Sequence, residues 1–360
     1  MIPIEEMVAR TGAWLKTDGP HADRILSTRV RLARNLAGTP FVGRALEEDL
    51  QGVYRTVAAA ALAAEPFRGG AAQTMNELPL LDRQFLIERH LVSHDLTGDG
   101  GARGLVLAVD ERASILINDE DHVRIQSLEA GFRLEESWVR ARNVDAALED
   151  SLPFAWSGEL GYLTACPTNV GTGLRASVLL HLPALVLTQR MKQILVGVTQ
   201  VGLTVRGYHG EGTEVMGNFL QLSNQVTLGQ DEEEILTKLT RVVRQVLDWE
   251  EKAQDQLLRQ ARWQVEDKIM RAVGVLRSCR LLSSQEAIGL LSAARFGNTL
   301  GMRAMPEIAV LNELLIRCQP AHLQKAAGRE MNSEERNEYR ARLVREVLGV
   351  DDAPEPAREG

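Results

Sequence analysis

Residues 104–117, GLVLAVDERASILI, set two short apolar runs, 104–109 and 113–117, on either side of Asp-Glu-Arg. Short aliphatic runs bounded by Gly, Asp or Pro read as strands. Two more follow at 160–165 (LGYLTA) and 201–206 (VGLTVR). Around them the pattern predicts helices near 46–64, 78–91, 124–148 and 184–199. From Arg24 to Gly229 strands and helices interleave without regular βαβ spacing, so the expected class is α+β rather than a doubly wound sheet.

The chain changes character at Gln230. Beyond it Ile235, Leu239, Val242, Val246 and Trp249 recur at helical spacing, behind an acidic run, Asp231 to Glu234, suited to a helix N-terminus. Ser283 to Glu286 and Asn332 with Glu335 read as further capping boxes. The expected organisation is a lead-in over 1–23, an α+β domain over 24–230 and a helical domain over 231–348. A tail over 349–360, ending DDAPEPAREG, has the composition of disorder.

Composition narrows the function. The 360 residues are 44% hydrophobic and 25% charged with a net charge of −8, ordinary for a soluble protein and unlike a duplex-DNA binder. Six lysines stand against 35 arginines, which codon bias explains in the main, although Arg makes bidentate phosphate contacts that Lys cannot. Cys166, Cys279 and Cys318 are too few and too scattered for a disulfide framework or a zinc ribbon. No apolar run is long enough to span a bilayer, and the acidic N-terminus is no signal peptide. A cytoplasmic protein, with neither nucleic acid nor membrane as partner, is expected.

The P-loop, GxGxxG between strand and helix, His-Arg-Asp, HExxH and CxxC signatures are all missing. Four other segments carry chemistry-bearing residues. In STRVRLAR (27–34), Arg29 and Arg31 alternate, so on an extended segment both reach one face and suit a polyphosphate; a solvated edge strand fits as well. NDEDHVR (118–124) runs from a strand into three acids, His122 and Arg124; it fits a metal site, a cation clamp or a plain turn. In YLTACPTNVGTGLRASV (162–178), Cys166 is a small buried hydrophobe or a reactive thiol, and Gly171 and Gly173 allow close backbone approach to a ligand. In VRGYHGEGTEVMGNFLQLSNQ (205–225), Gly207, Gly210 and Gly212 surround Glu211, the composition of a lid or of a mobile surface loop. Arginines at strand ends recur in all four. Together they suggest a phosphate chain held by Arg29, Arg31, Arg124, Arg175 and Arg206, with Glu120 and Glu211 facing a cationic co-substrate.

STRVRLARN, NDEDHVRIQ, CPTNVGTGLRAS and RGYHGEG, in that order, resemble the ATP:guanido phosphotransferases, the phosphagen kinases. GYLTACPTNVGTGLRASVLLHLPALVLT and SNQVTLG are most similar to the bacterial branch, the protein arginine kinases of the McsB type. The likeness is close over 24–229 and weaker to 345. It implies an antiparallel sheet flanked by helices, and ATP held by the five arginines and His90. Ser27, Thr28, Val30, Ala176, Ser177, Val178, Leu179, Gly207, Tyr208, His209 and Gly210 belong to the same nucleotide segments. It further implies that Glu120 and Glu211 grip the substrate guanidinium, that Cys166 orients it as a thiolate, and that Mg²⁺ arrives with ATP without a dedicated protein metal site.

Only 23 residues precede Arg24, where phosphagen kinases carry a helical cover, so the guanidinium pocket is expected to admit an arginine still attached to a polypeptide. Arg336-Asn337-Glu338-Tyr339-Arg340-Ala341 is similar to the branch's phosphoarginine-sensing segment, though Asn337 replaces an Asp; Asp119 likewise replaces the family's first Glu. The resemblance implies protein substrates with exposed arginines, marking for a Clp-type protease, a small zinc-binding activator and a homodimer. A kinase for a free guanidino metabolite and a non-catalytic phosphoarginine-binding adaptor are the competing readings; retention of Glu120 and the arginines argues against the adaptor, which needs no base.

Overall fold

In the computed structural model, which describes residues 1–98, 102–207 and 216–350, the alternation of STRVRLAR is that of a strand. It is β1, Ile25–Arg34, with Val30 and Leu32 fully buried on one face and Arg29 and Arg31 half-buried on the other. The further strands are β2 (Ala71–Thr74), β3 (Gly104–Leu107), β4 (Ala113–Ile117), β5 (Val123–Ala130), β6 (Trp156–Ser157), β7 (Gly161–Tyr162), β8 (Leu174–His181), β9 (Leu203–Gly207) and β10 (Phe219–Asn224). The helices are α1 (Ile4–Ala9), α2 (Glu47–Ala63), α3 (Leu80–Glu88), α4 (Leu134–Glu149), α5 (Pro183–Leu187), α6 (Met191–Gln200) and α7 (Glu232–Gln260). They continue as α8 (Arg262–Ser278), α9 (Ser284–Thr299), α10 (Ile308–Arg317), α11 (Pro320–Ala327) and α12 (Ser333–Val347).

Eight strands form one antiparallel sheet in the order β2-β3-β4-β5-β1-β8-β10-β9, while β6 and β7 pair separately. One face is buried and mainly apolar, with Thr28, Ser127 and Glu129 as polar members. Val30, Leu32, Ile125, Ala176, Val178 and Leu222 pack there against Val57 of α2, Val144 and Leu148 of α4, and Leu239 and Val243 of α7. The other face is divided. Towards the start of β1, Leu128, Leu179 and Phe219 join Trp14 and the C-terminal helices through Leu276, Leu291, Leu311 and Val344. Towards its end the face is left to the arginines. Beside them, α1 and α3 cover β3 and β4 through Met7, Phe85, Leu105 and Leu116.

The helical half begins as its sequence indicates. Asp231 caps α7, accepting from the Glu234 amide at 2.8 Å while the Glu234 carboxylate accepts from the Asp231 amide at 3.2 Å. Asn332 and Glu335 form the same reciprocal cap on α12, whereas Ser283 makes only its half of one on α9. Trp249 stands exposed rather than in the buried stripe, which Glu250 completes: its carboxylate receives the Ala184 and Leu185 amides at 2.9 Å each and caps α5.

Several boundaries differ from the sequence expectation. The stretch 124–148 divides into β5 and α4, because VRIQSLEA alternates with period two while buried polar groups such as Ser127 and Glu129 blur its contrast. The strand expected at 160–165 shrinks to Gly161–Tyr162, where Gly161 takes a φ of 75° and turns the chain. The helix expected over 184–199 breaks into α5 and α6 at Gln189, φ 57°. The tail at 351–360 lies outside the described residues, among which no helix is long and apolar enough to cross a membrane.

Because Leu239 is fully buried between α7 and the sheet, Leu239→Ala is expected to cost about 2–5 kcal/mol. Urea unfolding followed by circular dichroism checks this, as a lower midpoint at unchanged slope.

Candidate active site

Register carries the arginines to one place. In the antiparallel pairings Arg31 stands opposite Arg175 of β8 and Gln126 of β5, Ala33 opposite Arg124, and Arg29 opposite Ser177. Arg206 of β9 is opposite Gln221 of β10. Directly opposed residues share a face. The result is a cleft of about 410 Å³ lined by Arg29, Arg31, Arg124, Arg175 and Arg206 together with His90, Glu120 and Cys166. A larger groove, about 1200 Å³, lies between α4 and α7, and none of the expected site residues among the described ones lines it.

The charges in the cleft are costly. Burial, reinforced by Arg175, Arg124 and Arg206, pushes Arg29 down to about 10; burial with Arg206 and Arg124 does the same to Arg175. Arg31 is driven well below its ordinary value by burial and then by Arg29, against which Asp119 acts. Arg29 and Arg175, at about 10, remain cationic at neutral pH. The Nε atoms of Arg29, Arg31 and Arg175 are buried without a hydrogen-bond partner among the described residues. Such a floor has the donors and the charge for a polyanion.

Arg124 is the member already engaged. It forms a close ion pair with buried Asp119, and its Nη2 donates to Glu120 Oε2 at 3.0 Å. Asp119 also accepts from Ser93 Oγ at 2.8 Å. Glu120 is the exposed acid of the turn; the Asn169 amide reaches the same carboxylate oxygen at 3.4 Å. Cys166 is half-buried, its Sγ 3.0 Å from Thr168 Oγ1. Thr227 holds that loop by donating to the Thr168 and Val170 carbonyls, the two contacts competing for one proton at 2.8 Å each.

Asp121 ties the Glu120 turn to the Cys166 loop, and His122 ties it to the segment that follows β1. Asp121 Oδ1 accepts from Asn35 Nδ2 and from the Ala165 amide, both at 2.6 Å, and burial raises its pKa despite those bonds. His122 Nδ1 accepts from the Leu36 amide at 3.1 Å, so Nε2 carries the proton given to the Pro40 carbonyl at 2.9 Å. Burial lowers its pKa in keeping with that neutral form.

Below the loop, Arg34 makes a bidentate pair with Asp145 at 3.0 and 2.7 Å, donates to the Ala33 and Thr172 carbonyls, and lies 3.4 Å under the Tyr162 ring. Gly171, at φ 109°, packs so closely that a Cβ would stand 2.3 Å from the Thr227 carbonyl; at Gly173 it would stand 2.6 Å from the Ala33 carbonyl. These glycines therefore admit the protein's own backbone, a correction to the ligand approach expected of them, although Gly173 also borders the cleft.

Period-two alternation separates the remaining sequence candidates. Ser27, Ser177 and Leu179 lie on the arginine face around a small recess shared with His90. Val30, Ala176 and Val178 face the apolar core, and Thr28 donates to the Gly131 carbonyl at 2.6 Å, so their side chains are not in the cleft. Gly207 ends β9 opposite Leu220; Tyr208, His209, Gly210 and Glu211 lie outside the described residues. On α12, Arg340 is buried and donates to the Cys318 and Leu282 carbonyls at 2.8 and 2.7 Å and to Asn337 Oδ1 at 2.9 Å. Ala341 is buried beside it, and half-buried Arg336 donates to the Met331 carbonyl at 2.6 Å. Sequence reading misses Asn169, Asp121 and Asn35; their only local signal is adjacency to the arginine and acid motifs.

Comparisons with known proteins agree with this geometry. Residues 53–253 match the family described as ATP:guanido phosphotransferase, C-terminal catalytic domain, and residues 262–359 match the protein-arginine kinase McsB C-terminal domain. A protein-arginine kinase of Moorella thermoacetica is 48% identical over 342 residues, 94% of this chain and 98% of that protein. One from Symbiobacterium thermophilum is 47% identical over 96% of this chain and 99% of its own. Among solved structures, the duplicated taurocyamine kinase of Schistosoma mansoni with bound transition-state-analogue components superposes with a TM-score of 0.60 at 26% identity, over 68% of this chain and 35% of that one. A lombricine kinase superposes with a TM-score of 0.59 at 24% identity, over 67% and 70%, and shares the fold.

The crowding has a measurable consequence. Above about pH 10 the unfolded chain holds more protons on Arg29 and Arg175 than the folded one, so the fold gains stability as pH rises through that range and bears the full cost of burial and repulsion below it. Arg175→Gln is therefore expected to stabilise the empty protein at pH 8 by roughly 1–3 kcal/mol, a gain that shrinks above pH 10. Tripolyphosphate is expected to raise the melting temperature of the wild type well above that of this variant; denaturant and thermal titrations check both.

Proposed function

Because the chain belongs to the ATP:guanido phosphotransferases, and within them to the protein-arginine kinases, we propose that the arginine-floored cleft is where it phosphorylates arginine side chains of proteins. The observation that carries this reading is the convergence of five guanidiniums with the exposed Glu120 carboxylate and the Cys166 thiol in a single cleft. A polyphosphate answers the first; a guanidinium answers the other two.

In this reading Arg29, Arg31, Arg175 and Arg206 hold the phosphates of ATP, and His90 contacts the nucleotide. Arg124 bridges the two halves, since it already holds Glu120 from the phosphate side. Free guanidinium is a poor nucleophile because its charge is delocalised and its pKa exceeds 12. Glu120 grips it, with Glu211 as aligning partner and Cys166 orienting it, and takes one N–H proton as the N–P bond forms. The bond from the γ-phosphorus to the bridging oxygen breaks, and ADP leaves with that electron pair. Phosphoryl transfer asks mainly for positioning and charge neutralisation, which the sheet face supplies.

Mg²⁺ fits as a companion of ATP. Among the described residues no three His, Cys, Asp or Glu side chains gather to hold a metal, and a guanidinium-lined cleft offers no ligand to a bare cation, so Mg²⁺ would take its oxygens from the phosphates and water. When bound, it offsets phosphate charge. The same reading gives the cell biology: a cytoplasmic kinase, working as a homodimer, that marks proteins for Clp-type proteolysis under a small zinc-binding activator. The segment Arg336 to Ala341 would sense phosphoarginine, with half-buried Arg336 as the member nearer the surface.

Phosphate incorporation from ATP into an unstructured arginine-containing protein tests the reading, with free arginine in parallel. Acid-labile label on protein is expected, and Glu120→Gln should lower its rate by about 10²–10⁴-fold. Arg175→Ala should lower it by about 10²–10³-fold. Transfer to free arginine alone would move the assignment to a metabolite kinase, and binding of phosphoarginine without turnover would leave an adaptor.

A further inference from the structure

The last turn of α3 sends three consecutive side chains to three different parts of the molecule. Glu88 points at the helical C-terminal half, Arg89 at the β3–β4 turn, and His90 into the cleft. Glu88 is 6% exposed at its side chain and makes four contacts to the start of α11. Its carboxylate accepts from the Ala321 amide at 2.9 and 3.1 Å, from the His322 amide at 3.1 Å and from His322 Nδ1 at 2.9 Å. Phe85, one turn back on the same helix face, stacks on the His322 ring at 4.1 Å, and Asp82, another turn back, pairs with Lys325 at 2.9 Å.

The residue two places on cannot sit where it does unless this helix end is fixed. His90 has a φ of 58°, a left-handed conformation that a non-glycine residue adopts at a cost. Its carbonyl accepts from Gln126 Nε2 at 3.0 Å, and its ring meets Trp14 edge-on at 5.4 Å. Arg89 anchors one side of the turn through Glu111, at 2.6 and 3.0 Å, and the Arg10 carbonyl. Glu88 anchors the other. Charge-assisted bonds to a buried carboxylate are the strong kind, and several on one group hold it in direction as well as distance.

We propose that Glu88 is a positioning residue for the nucleotide: by clamping α11 to the end of α3 it fixes the left-handed turn that presents His90 to the cleft, so the C-terminal helices set the affinity for ATP. This rests on the reading of His90 as a nucleotide contact. Glu88 touches no reacting atom. The same arrangement gives the C-terminal half a route to the nucleotide end, since Arg340 of α12 holds the Cys318 carbonyl two residues before α11 begins.

The test is initial-rate kinetics on the full-length kinase, varying ATP and protein substrate separately, with ATP affinity by calorimetry. Glu88→Gln keeps the volume but loses the charge; about a tenfold rise in the KM and Kd for ATP is expected, with kcat and the KM for protein substrate within about twofold of wild type. His322→Phe keeps the stack on Phe85 and loses the ring donor; a smaller rise in the same two constants is expected, which serves if Glu88→Gln fails to fold. His90→Ala should raise the ATP constants too, and adding Glu88→Gln to it should change nothing further. If His90→Ala weakens ATP while Glu88→Gln and His322→Phe do not, the clamp is overturned and the His90 contact stands. If His90→Ala leaves ATP affinity intact, the nucleotide reading of His90 falls and the inference with it. A Glu88→Gln enzyme losing kcat and both affinities in step with its melting temperature would show a structural cap only.

Discussion

Like charges directly opposite one another in a sheet repel, and here Arg31 faces Arg175 across β1 and β8 with Arg29 one step away. The rest of the molecule is arranged around holding that repulsion in place. The three central strands bury their other face completely, so the arginines cannot turn away without exposing Val30, Leu32, Ala176 and Val178. The helices at the start of β1 close off half of the arginine face and leave the remainder open. Such a cleft is pre-organised: the cost of desolvation and repulsion is met by folding, and the negative charge of an entering polyphosphate offsets it.

The guanidinium end depends on joints between loops that are distant in sequence. Asp121 binds the Asn35 side chain and the Ala165 amide with one oxygen, which fixes Glu120 on one side and Cys166 on the other. Arg34, Asp145 and Tyr162 support the same loop from beneath, and Gly171 lets it lie against Thr227. Breaking a buried bidentate pair such as Arg34–Asp145 costs about 3–5 kcal/mol, because it leaves an uncompensated charge. None of these supporting groups lines the cleft. They decide how far apart the carboxylate and thiol stand.

Much of the site is legible in the amino-acid order. The i, i+2 spacing of Arg29 and Arg31 fixes a shared face on any extended segment, and β1 has that geometry. Four motifs in family order point to Glu120, Arg124, Cys166, Arg175 and Arg206, which one cleft contains. Less legible is anything depending on contrast between polar and apolar positions. β5 reads as the start of a helix because Ser127 and Glu129 are buried polar groups, and α5 and α6 read as one helix because Gln189 gives no warning of its left-handed turn. Gly171 and Gly173 do mark places of close approach, but the approaching group is the backbone of the protein itself.

The sequence by itself determined the chemistry. It set which residue types were available, the alternation that puts guanidiniums on one side of a strand, and the family to which those motifs belong. Tertiary structure alone decided partnership. Arg31 facing Arg175, and Asp121 joining Asn35 to the Ala165 amide, follow from strand register and packing over separations that local patterns do not encode. The junction of α3 and α11 is the extreme case: Glu88 meets His322 across 234 residues. A carboxylate at a helix end is ambiguous in sequence, since solvent, a neighbouring cation or a distant helix N-terminus would each satisfy it. Only the folded chain brings one of them within hydrogen-bonding reach.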